Sequence, residues 1–271
     1  MTNYVTRKLL NGFIFAFVLS FAFTPVLYAQ IDEIIVTARK RDENLQEVPI
    51  AITALSAQTI EERQLFTVGE VAQYVPNLQH SASAAGVASS ATFSIRGIGQ
   101  LDFITTTDSG VGVYLDGVYL ARVQGSALDL ADVERVEVLR GPQGTLFGRN
   151  TIGGAVSVVT RKPSGEFGVR GHLTVGNNAR VQGRAIVDVP LIDGVLAGKF
   201  TVVSKTSDGF GRDIEPLGGQ GNLGEDDDIA GRAQFLWTPS DRAEFNFAVE
   251  YSDRSGTALP QARIFFDKNT A

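Results

Sequence analysis

Apolar and polar residues alternate along the carboxyl-terminal part of this chain. The pattern occupies residues 167–175, 181–189, 196–203, 233–237 and 245–251. Because successive side chains of a β-strand point to opposite faces of a sheet, a period of two indicates strands with one apolar and one polar face. A tilted strand of ~9–11 residues crosses a bilayer. The pattern therefore predicts five membrane-crossing antiparallel strands, with Trp237 and Tyr251 at strand ends, where an aromatic girdle lies.

The connections between these segments are alternately short and long. Residues 190–194 and 238–241 are short turns, Asn177-Asn178 is a tight hairpin, and residues 205–228 are a long, Gly-rich, polar connection. If the first strand begins on the periplasmic side, both short turns are periplasmic and the long connection is external, which is the parity of outer-membrane barrels. A soluble β-sandwich also alternates, but it does not account for this parity.

The amino terminus has the pattern of an export signal. Arg7 and Lys8 precede an apolar run over residues 9–23, and Ala29 is the expected cleavage site. The alternative, a membrane anchor, requires ~20 apolar residues, and this run is shorter. We therefore expect residues 1–29 to be a signal peptide.

Composition excludes several functional classes. The net charge is −6 and no basic tract is present, which argues against nucleic-acid binding. The chain contains no cysteine, so a disulfide scaffold, a thiolate metal site and a cysteine nucleophile are excluded. No Ser/His/Asp set, carboxylate dyad or phosphate-binding loop has the spacing of an enzyme family. We expect the protein not to be an enzyme.

A short strand-forming segment lies directly behind the signal, within residues 30–43. Ile34, Ile35, Val36 and Thr37 are β-branched and strongly favour an extended backbone. The residues on both sides are polar. A lone strand must join another sheet edge, so the segment either pairs with a partner protein by β-augmentation or is a frayed terminus.

Residues 44–165 have the pattern of a compact α+β domain with a mixed sheet. Ser56 is placed to cap a helix that reaches residue 65, and Thr67 with Glu70 has capping-box spacing. Strands are predicted near residues 50–55, 92–96, 111–119, 133–140 and 155–160, with Asp116-Gly117 as a hairpin turn. Residues 81–91 are predicted to be a flexible loop, and residues 144–150 a tight segment bounded by glycines.

Residues 132–161, which read DVERVEVLRGPQGTLFGRNTIGGAVSVVTR, resemble the plug domain of TonB-dependent outer-membrane receptors. The segments FSIRGIG from Phe93 and VYLDGVY from Val113 resemble it too, and residues 33–38 resemble the TonB box in composition and place. The resemblance implies a plug over residues 44–165, followed in residues 166–271 by the first antiparallel strands of a transmembrane β-barrel that has 22 strands in the family. Because 22 strands at this spacing need about 460 residues, we expect a fragment or a truncated reading frame.

The family's properties imply an import mechanism. TonB, with its inner-membrane energising complex, pairs with a TonB box that hangs in the periplasm and pulls on the plug, so that a small-molecule ligand passes the outer membrane of a Gram-negative bacterium. The residues expected to bind TonB are Glu33, Ile34, Ile35, Val36, Thr37 and Ala38. The residues expected to form the plug motif and plug-to-barrel contacts are Arg96, Gly97, Glu134, Arg135, Glu137, Arg140, Gly141, Pro142, Gly148, Arg149, Gly153 and Gly154. A solvated sheet face is the other interpretation of these charges.

The ligand is left open by the sequence. The family imports ferric siderophores, haem, cobalamin and carbohydrate or aromatic compounds, and an iron chelate is the default as the commonest. No covalent cofactor is expected. His80 could touch ligand, His172 is more simply a wall residue, and residues 225–228 are an acidic loop tip rather than a calcium site. A receptor that also signals would need an additional domain before residue 33, and a passive porin would lack both plug and TonB box.

Overall fold

The computed structural model describes residues 35–37, 40–41, 43–82, 91–99, 108–121, 132–212 and 222–257. These residues belong to one compact unit, Ile34–Ala271. The predicted signal peptide and Glu33, Ile34 and Ala38 of the predicted TonB box lie outside the described ranges. Within those ranges, no helix is both long enough and apolar enough to span a membrane.

Short helices and many strands make up the described chain. The strands are β1 (Ile35–Val36), β2 (Glu43–Asn44), β3 (Ile52–Ser56), β4 (Leu78–Ala82), β5 (Ala91–Ile95), β6 (Ile98–Gly99), β7 (Val111–Leu115), β8 (Val118–Tyr119), β9 (Val133–Arg140), β10 (Gly154–Thr160), β11 (Gly168–Val175), β12 (Val181–Ile192), β13 (Leu196–Ser207), β14 (Gly211–Arg212), β15 (Asn222–Leu223), β16 (Asp226–Ser240) and β17 (Ala243–Gly256). The helices are α1 (Ala57–Glu62), α2 (Val68–Val71) and α3 (Gly144–Phe147), with a 3-10 turn at Ala72–Tyr74.

A five-stranded mixed sheet organises the first domain. Its order is β3-β9-β10-β7-β8, in which β10 runs parallel to β7 and the other neighbours are antiparallel. Strands β4, β5 and β6 form a separate antiparallel sheet. The predicted α+β fold with a mixed sheet is confirmed.

Local signals in the sequence set the ends of the helices and the first hairpin. The Ser56 hydroxyl accepts the Thr59 N–H at 3.3 Å and starts α1, which ends at Glu62 rather than at residue 65. A capping box between Thr67 and Glu70 starts α2. The β7–β8 turn at Asp116-Gly117 has positive φ at both residues, as a tight hairpin requires.

The two faces of the mixed sheet bury different sets of residues. One face packs Val136, Val138 and Val156 against the helices and the β4–β6 sheet. On the other face, Leu139, Ala155 and Tyr114 pack against Val36 and Val48 of the amino-terminal segment. The amino-terminal segment is therefore part of the core of this domain.

The wall sheet, defined here as β11-β12-β13-β16-β17, is an antiparallel meander in chain order. Its apolar face is exposed: Leu173, Val175 and Val249 are each 71% exposed. Its other face turns Lys199, Thr201 and Val203 towards the mixed domain, where all three are buried. The five strands and the predicted alternation of their faces are confirmed.

Two details of the sequence-based interpretation are wrong, the loop at residues 81–82 and the position of Tyr251, and two other segments contain elements that were not predicted. Residues 78–82 form strand β4, although residues 81 and 82 were expected in a loop, because they pair in register with β5. The segment after Pro142 contains the helical turn α3. The long connection carries the β14–β15 hairpin. Tyr251 lies inside β17, opposite Gly231, whereas Trp237 near the end of β16 stacks on Phe245 at 5.3 Å.

Candidate functional site

The amino-terminal strand β1 is docked on its own chain. Ile35 pairs with Asn44 and Val36 pairs with Glu43 in an antiparallel register. The side chain of Val36 is completely buried, whereas Ile35 is 40% exposed. We expected this strand to hang free, and the structure corrects that expectation, since its apolar residue fills the core beside Leu139 and Tyr114.

A buried carboxylate holds the residue that follows this strand. Glu137 on β9 is fully buried, and its Oε1 accepts the Thr37 N–H at 2.8 Å and the Thr37 hydroxyl at 3.1 Å. The Arg135 Nε donates to the same oxygen at 2.7 Å. Because a buried carboxylate is costly unless it is paired and hydrogen-bonded, Arg135 and Thr37 together make the burial of Glu137 tolerable.

Aromatic side chains cover the turn after β1. The Lys40 Nζ lies 4.4 Å from the centroid of the Phe147 ring and 5.4 Å from that of Tyr114. The Tyr114 hydroxyl donates to the Phe147 carbonyl at 2.7 Å. Burial raises the pKa of Tyr114, so this phenol stays protonated and keeps its donor role. These contacts hold Lys40 beside the sheet.

A second charged cluster joins the mixed domain to the wall sheet. The Lys199 Nζ on β13 lies 2.8 Å from Asp132 Oδ2 and 3.9 Å from Asp188 Oδ1. Arg170 on β11 reaches the same two carboxylates at 3.4 and 3.2 Å. Lys199 also donates to the carbonyls of Arg161 and Lys162, at 2.7 and 2.9 Å.

More exposed pairs make other contacts between the two parts. Arg232 on β16 bonds Asp116 in the β7–β8 turn and approaches the Thr160 hydroxyl at 3.4 Å. Lys162 pairs with Glu244 in the wall. The sequence interpretation missed Asp116, Asp132 and their wall partners. The wall partners could have been predicted from the charged residues on the inward face of the alternating strands. Such a face is covered by the domain inside the barrel, so its charges need partners there.

The predicted motif residues occupy two kinds of position. Glu134 and Glu137 both pair with Arg135 inside the mixed domain, and none of the three contacts the described wall strands in an ion pair. The Nε of Arg140 is buried without a hydrogen-bond partner among the described residues. The remaining predicted residues form turns or tight approaches: Arg96, Gly97, Gly141, Pro142, Gly148, Arg149, Gly153 and Gly154. The predicted contacts of these residues with the barrel remain predictions.

Gly154 is required by a close backbone approach. Its φ is +149°, and a Cβ placed there would lie 2.1 Å from the Leu139 carbonyl oxygen and 2.7 Å from Ile95. No L side chain fits in that space. The glycine therefore permits β9 and β10 to pair at the point where the chain enters β10.

The weaker sequence candidates have ordinary surroundings. His80 packs on Phe93 at a centroid distance of 5.5 Å, beside a groove of about 440 Å³ that Gln73 and Ser81 help to line. Partial burial lowers the pKa of His80, against the opposing effect of Glu70. His172 lies beside a cavity of about 320 Å³ between α1 and the wall. Within the described ranges, no cluster of three or more His, Cys, Asp or Glu could hold a metal.

The acidic run is also corrected by the structure. Asp226, Asp227 and Asp228 begin strand β16 and do not form a loop tip. Asp226 pairs with Lys205 on the neighbouring strand at 2.7 Å. The run is part of the wall sheet, because its residues continue the register between β13 and β16.

Comparison with known proteins identifies both parts of this architecture. The family model described as "TonB-dependent Receptor Plug Domain" matches residues 44–155. The pesticin receptor of Yersinia pestis is 30% identical over 229 residues, which cover 82% of this chain and 32% of that protein. The vitamin B12 transporter BtuB of Vibrio vulnificus is 27% identical over 233 residues, covering 80% and 38%. The chain thus spans about a third of the length of the relatives it matches.

Solved structures agree with the fold. The ferric yersiniabactin uptake receptor FyuA from Yersinia pestis has a TM-score of 0.65 at 28% identity, over 75% of this chain and 31% of that one. The pyoverdine receptor FpvA from Pseudomonas aeruginosa PAO1 has a TM-score of 0.66 at 20% identity, over 81% and 30%, and shows the same fold. The chain belongs to the TonB-dependent outer-membrane receptors of Gram-negative bacteria and contains their plug domain followed by the first strands of their β-barrel.

Proposed function

We propose that the protein imports a scarce nutrient across the outer membrane, with TonB pulling on the plug through residues 33–38. The observation that carries this proposal is the docking of Ile35–Val36 and Thr37 on the central sheet of the plug. A pull on that strand first loads the contact between Thr37 and Glu137, which links it to β9, the second strand of the five-stranded sheet. In this proposal, residues 1–29 direct export, and the partners are TonB with its inner-membrane complex, outer-membrane lipid and a small ligand.

The docked strand must leave its site before it can pair with TonB. Release exposes the Val36 side chain and breaks both bonds from Thr37 to a charged acceptor. Burial of a valine contributes roughly 1.5–3 kcal/mol, and a hydrogen bond to a charged group roughly 1.5–3 kcal/mol. The strand is therefore held by on the order of 5 kcal/mol, which keeps it docked at rest and still lets a mechanical pull detach it.

An iron chelate is the proposed ligand class. Support comes from relatives described as receptors for ferric yersiniabactin and pyoverdine, while the similarity to BtuB keeps cobalamin as the alternative. The family consists of receptors and transporters. Growth of a deletion strain on ferric yersiniabactin, ferripyoverdine, haem and cobalamin would separate the ligand classes.

Substitution Ile35→Pro tests the role of the amino-terminal strand. Proline removes a backbone donor that strand pairing needs, and position 35 is partly exposed, so the plug core is spared. Uptake of the supporting ligand should fall to background, while its binding to whole cells is unchanged. Ile35→Ala is the matched control and should retain uptake. Uptake that survives Ile35→Pro would contradict the proposed TonB contact.

A further inference from the structure

Lys199 uses its entire donor capacity to hold the end of the plug. An ammonium group has three N–H donors, and those of Lys199 are placed on the Arg161 carbonyl, the Lys162 carbonyl and Asp132 Oδ2. The Asp188 Oδ1 accepts the backbone N–H of Ser164 at 3.2 Å. We call this set of Lys199, Asp188, Arg170, Asp132 and the residues 161–164 the linker anchor. It joins three wall strands to the segment that connects plug and wall.

We propose that the linker anchor is the fixed point of the plug during import: residues before Asp132 move under the pull, whereas β9, β10 and the linker stay on the wall. This inference rests on the proposed function, since it concerns how far a pull on the amino terminus can propagate. It assigns a mechanical role to charged residues that lie outside the proposed TonB contact.

Shielding from solvent separates three members of the anchor from the other contacts, whereas Arg170 is 42% exposed. The side chains of Lys199, Asp188 and Asp132 are 3%, 6% and 9% exposed. By contrast, Glu61 in the pair with Arg161 is 56% exposed and lies 3.6 Å away, and Arg180 only approaches the Phe66 ring at 5.4 Å. Exposed ion pairs are screened by water and salt and contribute little, whereas breaking one partner out of a buried pair is costly.

The order of residues along the chain determines which contacts carry the load. A pull from the amino terminus first meets β1 and the elements up to β8, whose described contacts with the wall include the pair between Asp116 and Arg232 and the approach of Arg180 to Phe66. It reaches Asp132 only afterwards, at the start of β9. There the chain is held by Lys199 and by the backbone bond from the Arg161 N–H to the Asp132 carbonyl, at 3.1 Å. The extension should therefore stop at this residue.

If the extension halts at Asp132, the length of the extended chain can be calculated. Residues 35–131 extend at ~3.4 Å each, which gives an extension of roughly 330 Å before the anchor is loaded. Failure of the anchor adds residues 132–163 and lengthens the extension by roughly 110 Å. The two lengths are easily distinguished in a single-molecule pulling experiment on outer-membrane vesicles that contain the protein.

Lys199→Met removes the charge and keeps the length of the side chain. Lys205→Met is the matched control, because Lys205 lies on the same strand and pairs with Asp226 of the wall, away from the plug. Wild type and Lys205→Met should stop at the shorter extension, and Lys199→Met should run on to the longer one. Equal extensions in all three proteins would overturn the proposal, even if the Ile35→Pro experiment supports TonB-driven import.

Proteolysis provides a second readout that needs no pulling. Trypsin cleaves after Arg161, whose carbonyl Lys199 holds, but not between Lys162 and Pro163. Cleavage in vesicles should be about tenfold faster in Lys199→Met than in Lys205→Met. Asp132→Asn, which keeps both carbonyl bonds and the side-chain volume, should lengthen the extension without that faster cleavage. If Lys199→Met does not insert, the result for Asp132→Asn alone decides: an unchanged extension overturns the proposal.

Discussion

Thr37 donates its backbone N–H and its hydroxyl to one carboxylate oxygen of Glu137, a residue one hundred positions further along the chain. This contact joins the amino-terminal segment of the plug to β9, the second strand of its five-stranded sheet. Because the same oxygen also accepts the Arg135 Nε, the position of the carboxylate is fixed by the plug even when Thr37 leaves. The site for the amino-terminal strand is therefore preformed and can be reoccupied after release.

Thr37→Val tests the hold on this strand. Valine has the shape of threonine but loses the hydroxyl bond to the charged Glu137, so docking should weaken by roughly 1.5–3 kcal/mol and detachment should increase at least about tenfold. The chain has no cysteine, so a single cysteine at Val36, whose side chain is completely buried while the strand is docked, reports detachment by its rate of labelling. Thr238→Val, which loses a hydroxyl bond to the wall turn at Gly194, is the control and should leave labelling unchanged. Equal labelling in both variants would show that the hydroxyl does not retain the strand.

His80 makes the stability of the plug depend on pH. Burial lowers its pKa below the ordinary value of 6.5, so the unfolded chain binds a proton more readily than the folded one. The contribution of His80 to the free energy of unfolding is therefore fully present above pH 6.5. It decreases as the pH falls through that value towards the pKa that His80 has in the folded protein. Thermal unfolding measured from pH ~8 to ~5 should show this loss.

Replacement of each histidine separates this effect from general acid sensitivity. His80→Gln should flatten the thermal profile in that range. His172→Gln replaces the other of the two histidines in the chain and controls for the loss of a histidine outside the plug. A His80→Gln profile as steep as that of the wild type would mean that other groups cause the loss.

The ion pair between Arg232 and Asp116 should have a smaller coupling energy than the buried pair between Lys199 and Asp132. Its side chains are 16% and 24% exposed, so solvent screens the charges. A double-mutant cycle with Arg232→Met and Asp116→Asn should give a coupling energy of about 1 kcal/mol. The same cycle on Lys199 and Asp132 should give about 3 kcal/mol. Hydrogen exchange of the Thr160 amide measures the two coupling energies. A larger coupling energy for Arg232 and Asp116 than for Lys199 and Asp132 would mean that burial does not determine the strength of these pairs.

Gly154→Ala should prevent correct pairing of β9 with β10. The added Cβ would collide with the Leu139 carbonyl oxygen, and relief requires a shift of the backbone in the core of the plug. We expect a loss of more than about 3 kcal/mol. Gly165→Ala is the control: it also has a positive φ, +76°, but open space around its Cβ, so about 1 kcal/mol is expected. Denaturant titration of the two proteins compares them, and equal losses would show that φ alone, and not the close approach, costs the stability.

Much of the fold could be predicted because its signals are local. The alternation in residues 196–203 marks a strand whose two faces meet different surroundings, and this is a property of neighbouring residues. The capping box at Thr67 and Glu70 and the turn at Asp116-Gly117 are likewise complete within a few positions. The motif around Arg140 to Gly154 identified the family for the same reason, since its residues are contiguous.

Strand β4 at Leu78–Ala82 is an instructive failure. Its sequence, Leu-Gln-His-Ser-Ala, has no strong preference for a strand, and it becomes one by pairing with β5. The partner supplies the hydrogen bonds that the local sequence does not favour. A segment of this kind is decided by its neighbour in space, so single-sequence patterns overlook it.

The sequence by itself determined the order of the elements, the two-faced wall strands and the family of the chain. Tertiary structure alone decided that Val36 is buried, that Glu137 serves both Thr37 and Arg135, and that Lys199 rather than the motif arginines holds Asp132. The reason is distance along the chain. A buried charge takes whichever opposite group the folded chain brings within about 4 Å, and that proximity depends on the packing of segments that are many residues apart.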